Sequence, residues 1–189
     1  MKKVFCVFDT ETNGLLSHPN LRIVSIAWII GEYTHSNDEI LLKTKKYHLV
    51  KPDDYVITQE SINIHGITQE EAEKNGIDAR IVMLEFLHDI EMYQVSFLVA
   101  HNISFDRAVV SHELTRLNVP HMDFLTLHTI CTMKLSKKIL NLRKYPKLTE
   151  LITYLSPNYD ISNAHDALWD TETCLKSFHI ILGKLHPNG

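Results

Sequence analysis

The segment Phe8-Asp9-Thr10-Glu11-Thr12-Asn13-Gly14-Leu15 carries two carboxylates one residue apart, at the end of a β-branched and aromatic run. If a strand continues to Glu11, its two-residue side-chain period puts Asp9 and Glu11 on one face and turns Thr10 away. Adjacent carboxylates repel, so such a pair persists at low cost only on a solvated face or around a cation. Val4, Phe5, Val7 and Phe8 lead into it, which tips the reading from an exposed strand end toward a cation site.

Three further groups have the same character. In His101-Asn102-Ile103-Ser104-Phe105-Asp106, Ser104 is expected to cap a helix, and Asp106 heads an apolar stripe with Val110, Leu114 and Leu117. Standing alone, Asp106 reads first as an acid favoured by a helix amino terminus. In His165-Asp166-Ala167-Leu168-Trp169-Asp170, Asp170 heads a stripe of Cys174, Phe178, Ile181 and Leu185 and so faces inward. His165 stands at the helix entrance, and Asp166 competes as an acid whose simplest role is to complement the helix dipole. Asp9, Glu11, Asp106 and Asp170 thus all sit at strand ends or helix starts. A cluster of this kind suits hard divalent ions, and two of them about 3.5 to 4 Å apart can hold the attacking and leaving oxygens of a phosphoryl transfer. With no thiolate or paired imidazole beside the acids, magnesium fits better than zinc.

The elements needed to position these groups are legible in outline. Val4–Asp9, Ile23–Ile30 and Ile40–Val50 read as three strands in close succession, an antiparallel meander. Residues 52–66 read as irregular with one helical turn, and Thr68-Gln69-Glu70-Glu71 as a capping box. Helical spacing over 77–93 (Ile81, Leu84, Leu87, Ile90) is followed by a strand at Val95–Ala100. Helices are then expected at Phe105–Leu117, Leu148–Leu155 and Asp166–Leu185, with the stretch after Thr129 undefined. Strands first and alternating elements later predict an α/β fold, a mixed sheet covered by helices.

On these motifs the sequence resembles the DnaQ-like, or DEDDh, 3′-to-5′ exonuclease family. Asp-Thr-Glu-Thr-Asn-Gly at Asp9 and Glu11, His-Asn followed by Phe-Asp at Asp106, and His-x-Ala-x-x-Asp at His165 and Asp170 occur in the family's order, and the resemblance runs from Val4 to about Leu185. It implies an RNase H-like fold, with a five-stranded central sheet of three antiparallel and then two parallel strands, flanked by helices. It further implies two magnesium (or manganese) ions on Asp9, Glu11, Asp106 and Asp170, and His165 as general base, a step commonly worth 10²- to 10⁴-fold. Substrate contacts by resemblance are the backbone near Thr10, Leu15, His65, Asn102 and Phe105. The implied partner is a nucleic acid with a free 3′ end, single-stranded or frayed, with a DNA polymerase or a second copy of the chain as further partners. Leu127-His128-Thr129 departs from relatives that carry an acid before the threonine, which bears on local packing there. A nuclease-like binding module is the alternative function, and the retained acids argue against it.

Composition sets the frame. At 189 residues and 44% hydrophobic, with no linker or repeat, residues 1–189 are expected to form a single domain. Asp9 cuts the amino-terminal apolar run below signal-peptide length, no segment is long enough to span a membrane, and Cys6, Cys131 and Cys174 have no paired spacing; a cytoplasmic chain with reduced thiols follows. Only four residues follow the last helix, which leads us to expect a separate enzyme, or one held to a polymerase through its surface. The net charge of −4 is unpromising for a polyanion ligand, but Phe124 to Thr149 contains no acid and holds Lys134, Lys137, Lys138, Arg143, Lys144 and Lys147. That stretch is either a solvated basic face or a phosphate-tracking surface.

Overall fold

The computed structural model describes residues 2–34 and 39–185. Its strands are β1 (Lys2–Thr12), β2 (Ile23–Thr34), β3 (Glu39–Leu49), β4 (Phe97–Ala100) and β5 (His128–Cys131). They form one sheet in the order β3-β2-β1-β4-β5, in which β1 pairs antiparallel to β2 and parallel to β4, and β4 is parallel to β5. This is the mixed five-stranded arrangement that the resemblance implies. β2 is buried along nearly its whole length, as a strand covered on both faces must be.

Helices α1 (Gln59–His65), α2 (Gln69–Asn75), α3 (Ala79–Met92), α4 (Ile103–Arg116), α5 (Met122–Thr126), α6 (Thr132–Ile139), α7 (Leu148–Leu155) and α8 (Ala167–Leu185) complete the chain. None of the described helices is long and apolar enough to cross a membrane. The four residues after α8, from which a surface-held enzyme was expected, lie outside the described residues.

β1 divides its side chains between two cores. Cys6 and Phe8 face α3 and α4, where Phe8, Phe86 and Phe124 meet at 5.6 to 6.4 Å and Trp28 reaches Phe86 at 5.3 Å. Phe5 and Val7 face α8, where Phe5, Phe97 and Phe178 form a second aromatic triad at 5.5 to 6.3 Å. Each such ring pair contributes about 0.5 to 1.5 kcal/mol beyond its buried area. Phe178 lies two turns along α8 from Asp170, so the second triad fixes where that acid stands against β1.

Several local expectations are corrected. The 52–66 region contains a capped helix, α1, with Thr58 accepting from the Ser61 amide and Gly66 closing it at φ 76°. α4 begins at Ile103 after Asn102 in the left-handed region, so Ser104 lies inside the helix and does not cap it. α3 turns Val82, Met83, Phe86 and Ile90 inward and leaves Ile81 and Leu84 exposed, because Phe86 locks the helix phase against Phe8 and Trp28. The α8 stripe is buried through Ile181, while Leu185 is exposed. The undefined stretch after Thr129 resolves into the end of β5 and α6. The Thr68 cap forms as expected, accepting from the Glu71 amide, and the three cysteines are free and buried.

Candidate active site

The two faces of β1 converge at its carboxyl end. Asp9 and Glu11 continue the Phe5–Val7 row and therefore meet α8, which brings Asp170 and the preceding His165. Ligand atoms of Glu11, His165 and Asp170 all lie within 4.8 Å of one another. Thr10 points to the other side, where the Asp106 carboxylate accepts from its amide at 3.2 Å and from its hydroxyl at 2.9 Å. Thr10, expected to turn away from the acids, thus ties α4 to β1 and holds the fourth acid in place across 96 residues of sequence.

Burial comes first among the causes that push these carboxyls toward the protonated form. Asp9 is raised well above the usual carboxylate range by burial, then by Asp106, Asp170 and Glu11. Glu11 is raised to about 9 by burial and then by Asp170 and Asp106. Asp106 and Asp170 are each raised to about 7, chiefly by burial, with the Thr10 hydrogen bonds and the His165 backbone opposing the rise. Four acids that cannot all ionise comfortably, with oxygens as the main donors, fit a hard divalent cation, which offsets both desolvation and repulsion. Asp166 serves the helix: its carboxylate accepts from the Trp169 amide at 2.8 Å. His165 is exposed at φ 72°, a left-handed conformation that costs a non-glycine residue strain and aims its ring back over Glu11 and Asp170.

A cavity of about 510 Å³ opens beside the acids, with Thr10, Glu11, Leu15, Ile64, His65 and Phe105 in its wall. A second, of about 420 Å³, is lined by His65, His165, Asp166 and Trp169, so His65 belongs to both. Four of the five expected substrate residues therefore share one cavity, with Leu15 73% exposed at its rim. Asn102 is exposed nearby and lines neither cavity.

The Ile67 amide donates to His65 Nδ1 at 3.0 Å, which leaves the proton of the neutral ring on Nε2. Nε2 is buried without a completed hydrogen bond; burial disfavours the charged ring, and the Thr12 backbone opposes this. His101 opens the second motif, directly before Asn102. Its Nε2 donates to the Pro146 carbonyl at 3.0 Å and its Nδ1 meets the Thr132 hydroxyl at 2.9 Å, clamping α6 and the following loop to the site. Only a contact 45 residues away reveals that role.

Comparison with known proteins bears on family and fold. The chain is 27% identical over 98% of its length to DNA polymerase III PolC-type of Mycoplasmopsis pulmonis, of which it spans 12%. It is 28% identical to the DNA polymerase III subunit epsilon of Buchnera aphidicola, covering 95% of this chain and 71% of that one. With Ribonuclease T of Shewanella oneidensis it shares 24% identity over 94% of its own length and 81% of the relative's. Among solved structures, E. coli exonuclease I bound to a dT13 oligonucleotide superposes with a TM-score of 0.75 at 21% identity, over 98% of this chain and 41% of that one, a likeness of fold. A family model described as exonuclease, of the RNase T type, matches residues 6–178, and the chain accordingly belongs to the DnaQ-like exonuclease family.

Proposed function

We propose that residues 1–189 act as a single 3′-to-5′ exonuclease domain that hydrolyses the terminal phosphodiester of DNA or RNA and releases nucleoside 5′-monophosphates. One observation carries this reading: ligand atoms of Glu11, Asp170 and His165 lie within 4.8 Å of one another, and Glu11 also lines a cavity of about 510 Å³ with the apolar side chains of Leu15, Ile64 and Phe105 in its wall. A terminal base fits between Leu15 and Phe105, and such contacts tolerate any base. His65 lines the same cavity and packs beside that base.

Asp9, Glu11, Asp106 and Asp170 would hold two magnesium or manganese ions. When bound, such ions polarise the phosphate and make water nucleophilic near neutral pH. His165 accepts the proton of the attacking water as the new bond to phosphorus forms and the bond from phosphorus to the 3′-oxygen of the preceding nucleotide breaks; that leaving oxygen takes a proton from solvent, to which the exposed His165 returns its own.

DNA and RNA oligonucleotides labelled at either end test the reading. A 3′ label is expected to leave at once as a mononucleotide, a 5′ label to give a ladder shortening from the far end, and a chelator to stop both. Internal cuts, or early loss of the 5′ label, would overturn the direction. Running DNA and RNA side by side sets the substrate class, and a polymerase or a second copy of the chain as partner belongs to the same proposal. So does a cytosolic site of action, in keeping with three free buried thiols.

Thr10→Val keeps the shape of the side chain and removes the hydroxyl donor to Asp106. Losing a hydrogen bond to a charged group costs about 1.5 to 3 kcal/mol. The magnesium concentration for half-maximal rate should therefore rise by roughly tenfold or more, with the saturated rate within about threefold of the parent. A magnesium titration of initial rates reads both, and an unshifted midpoint would deny Thr10 this role.

A further inference from the structure

The cationic stretch from Lys134 to Lys147 is held against the active site and is poorly neutralised. His101 joins the start of α6, through Thr132, to the loop before α7, through Pro146, and the same turn leads directly into Phe105 and Asp106. Six of the chain's nineteen Lys and Arg residues lie in this stretch, which has no acid of its own. Lys144 pairs with Glu150 at 2.7 Å, and Lys137 stands 4.3 Å over the Tyr145 ring. Lys134, Lys138, Arg143 and Lys147 are exposed, with no acidic partner within ion-pair distance among the described residues. Arg143 and Lys144 line a groove of about 230 Å³, floored by Leu142, Pro146 and Leu151 and bordered by Tyr154, which is 62% exposed; Glu150, the one acid in its wall, is paired with Lys144. In a chain of net charge −4, cations gathered around an apolar groove with an aromatic edge suit a sugar–phosphate backbone and its bases.

We propose that this surface is a second nucleic-acid subsite, which holds the single strand several nucleotides upstream of the 3′ terminal residue. The proposal rests on the exonuclease reading above for the position of that terminus. Lys138, Arg143 and Lys147 contact successive phosphates, and Tyr154 stacks on a base. Grip on the strand here retains a substrate after each cleavage, which favours long strands over very short ones.

The test uses fluorescent dT12 for binding in metal-free buffer and dT3 for turnover with magnesium. The triple variant K138Q/R143Q/K147Q leaves the acids, His165 and the cavity untouched. Its plot of log affinity against log salt should be shallower than the parent's by about 2, from roughly 0.7 per lost single-strand phosphate contact. Its dT3 turnover should stay within about twofold of the parent. Tyr154→Ala should weaken dT12 binding about tenfold with the slope unchanged. An unchanged slope in the triple variant overturns the proposal and leaves the surface to an acidic protein partner. Equal losses on dT3 and dT12 overturn it as well, since the contacts would then lie at the terminal nucleotide. If instead the parent releases nothing from 3′ ends while the slope still flattens, the exonuclease reading fails and the strand-binding surface stands.

Discussion

Asp9→Asn and Asp170→Asn should each lower turnover by at least about 10³-fold while raising the melting temperature of the metal-free protein. The first effect follows from removing an acid of a site whose transition-state stabilisation is electrostatic, where one group commonly carries several kcal/mol. The second follows from the clustering. Burial and mutual repulsion hold Asp106 and Asp170 near 7 and push Asp9 well above the usual range. A carboxyl whose folded value exceeds its unfolded one binds more protons in the folded state, so its stabilising contribution is complete below about pH 4 and is lost as pH rises toward 7. The parent without metal should therefore melt progressively lower between those values, and magnesium should restore part of the loss at pH 7.5. The amide variants remove one member of the repelling set. A relief of about 1 to 2 kcal/mol corresponds to a rise of about 2 to 8 °C at this chain length. Calorimetry across pH, with and without magnesium, measures the whole pattern. A variant that turns over at near the parent's rate, or a parent whose metal-free stability is flat from pH 4 to 7, would count against the assignment.

His165→Ala should be slow at every pH, by about 10²- to 10⁴-fold in single-turnover rate at saturating metal, the range general bases commonly supply. Tyr159 is the nearby residue that has to be distinguished from it. Its hydroxyl accepts from Thr173 at 3.2 Å, its ring packs on Trp169 at 5.9 Å, and Lys176 stands 4.4 Å over its face, which ties it to the Trp169–Thr173–Lys176 face of α8 and not to the face that carries Asp170 and Cys174. Tyr159→Phe should therefore stay within about threefold of the parent, while the histidine variant loses most of the rate. Circular dichroism of both variants guards against misfolding. A His165→Ala enzyme within threefold of the parent, or a Tyr159→Phe enzyme as slow as the histidine variant is expected to be, would remove His165 from the proton-accepting role.

The chemistry of β1 was legible in the sequence because a two-residue period places Asp9 and Glu11 on one face whatever the rest of the chain does. The inward phases of Asp106 and Asp170 were legible for the same local reason, a helical repeat with Val110 and Leu114 behind one acid and Cys174 and Phe178 behind the other. Family motifs supplied the fifth strand, which the residues themselves did not announce. β5 is four residues long, with His128 and Thr129 exposed, and carries too few apolar positions to show a period. The phase of α3 was misread because apolar residues occur nearly all round it, and the choice among them belongs to Phe8, Trp28 and Phe124 from other elements. The Thr10–Asp106 bond, the His101 clamp and the turning away of Tyr159 were likewise invisible. A local period decides which side chains share a face. Which faces meet, and at what height, is decided by the packing of aromatic groups that lie far apart in the chain, and only the assembled sheet and helices bring these together.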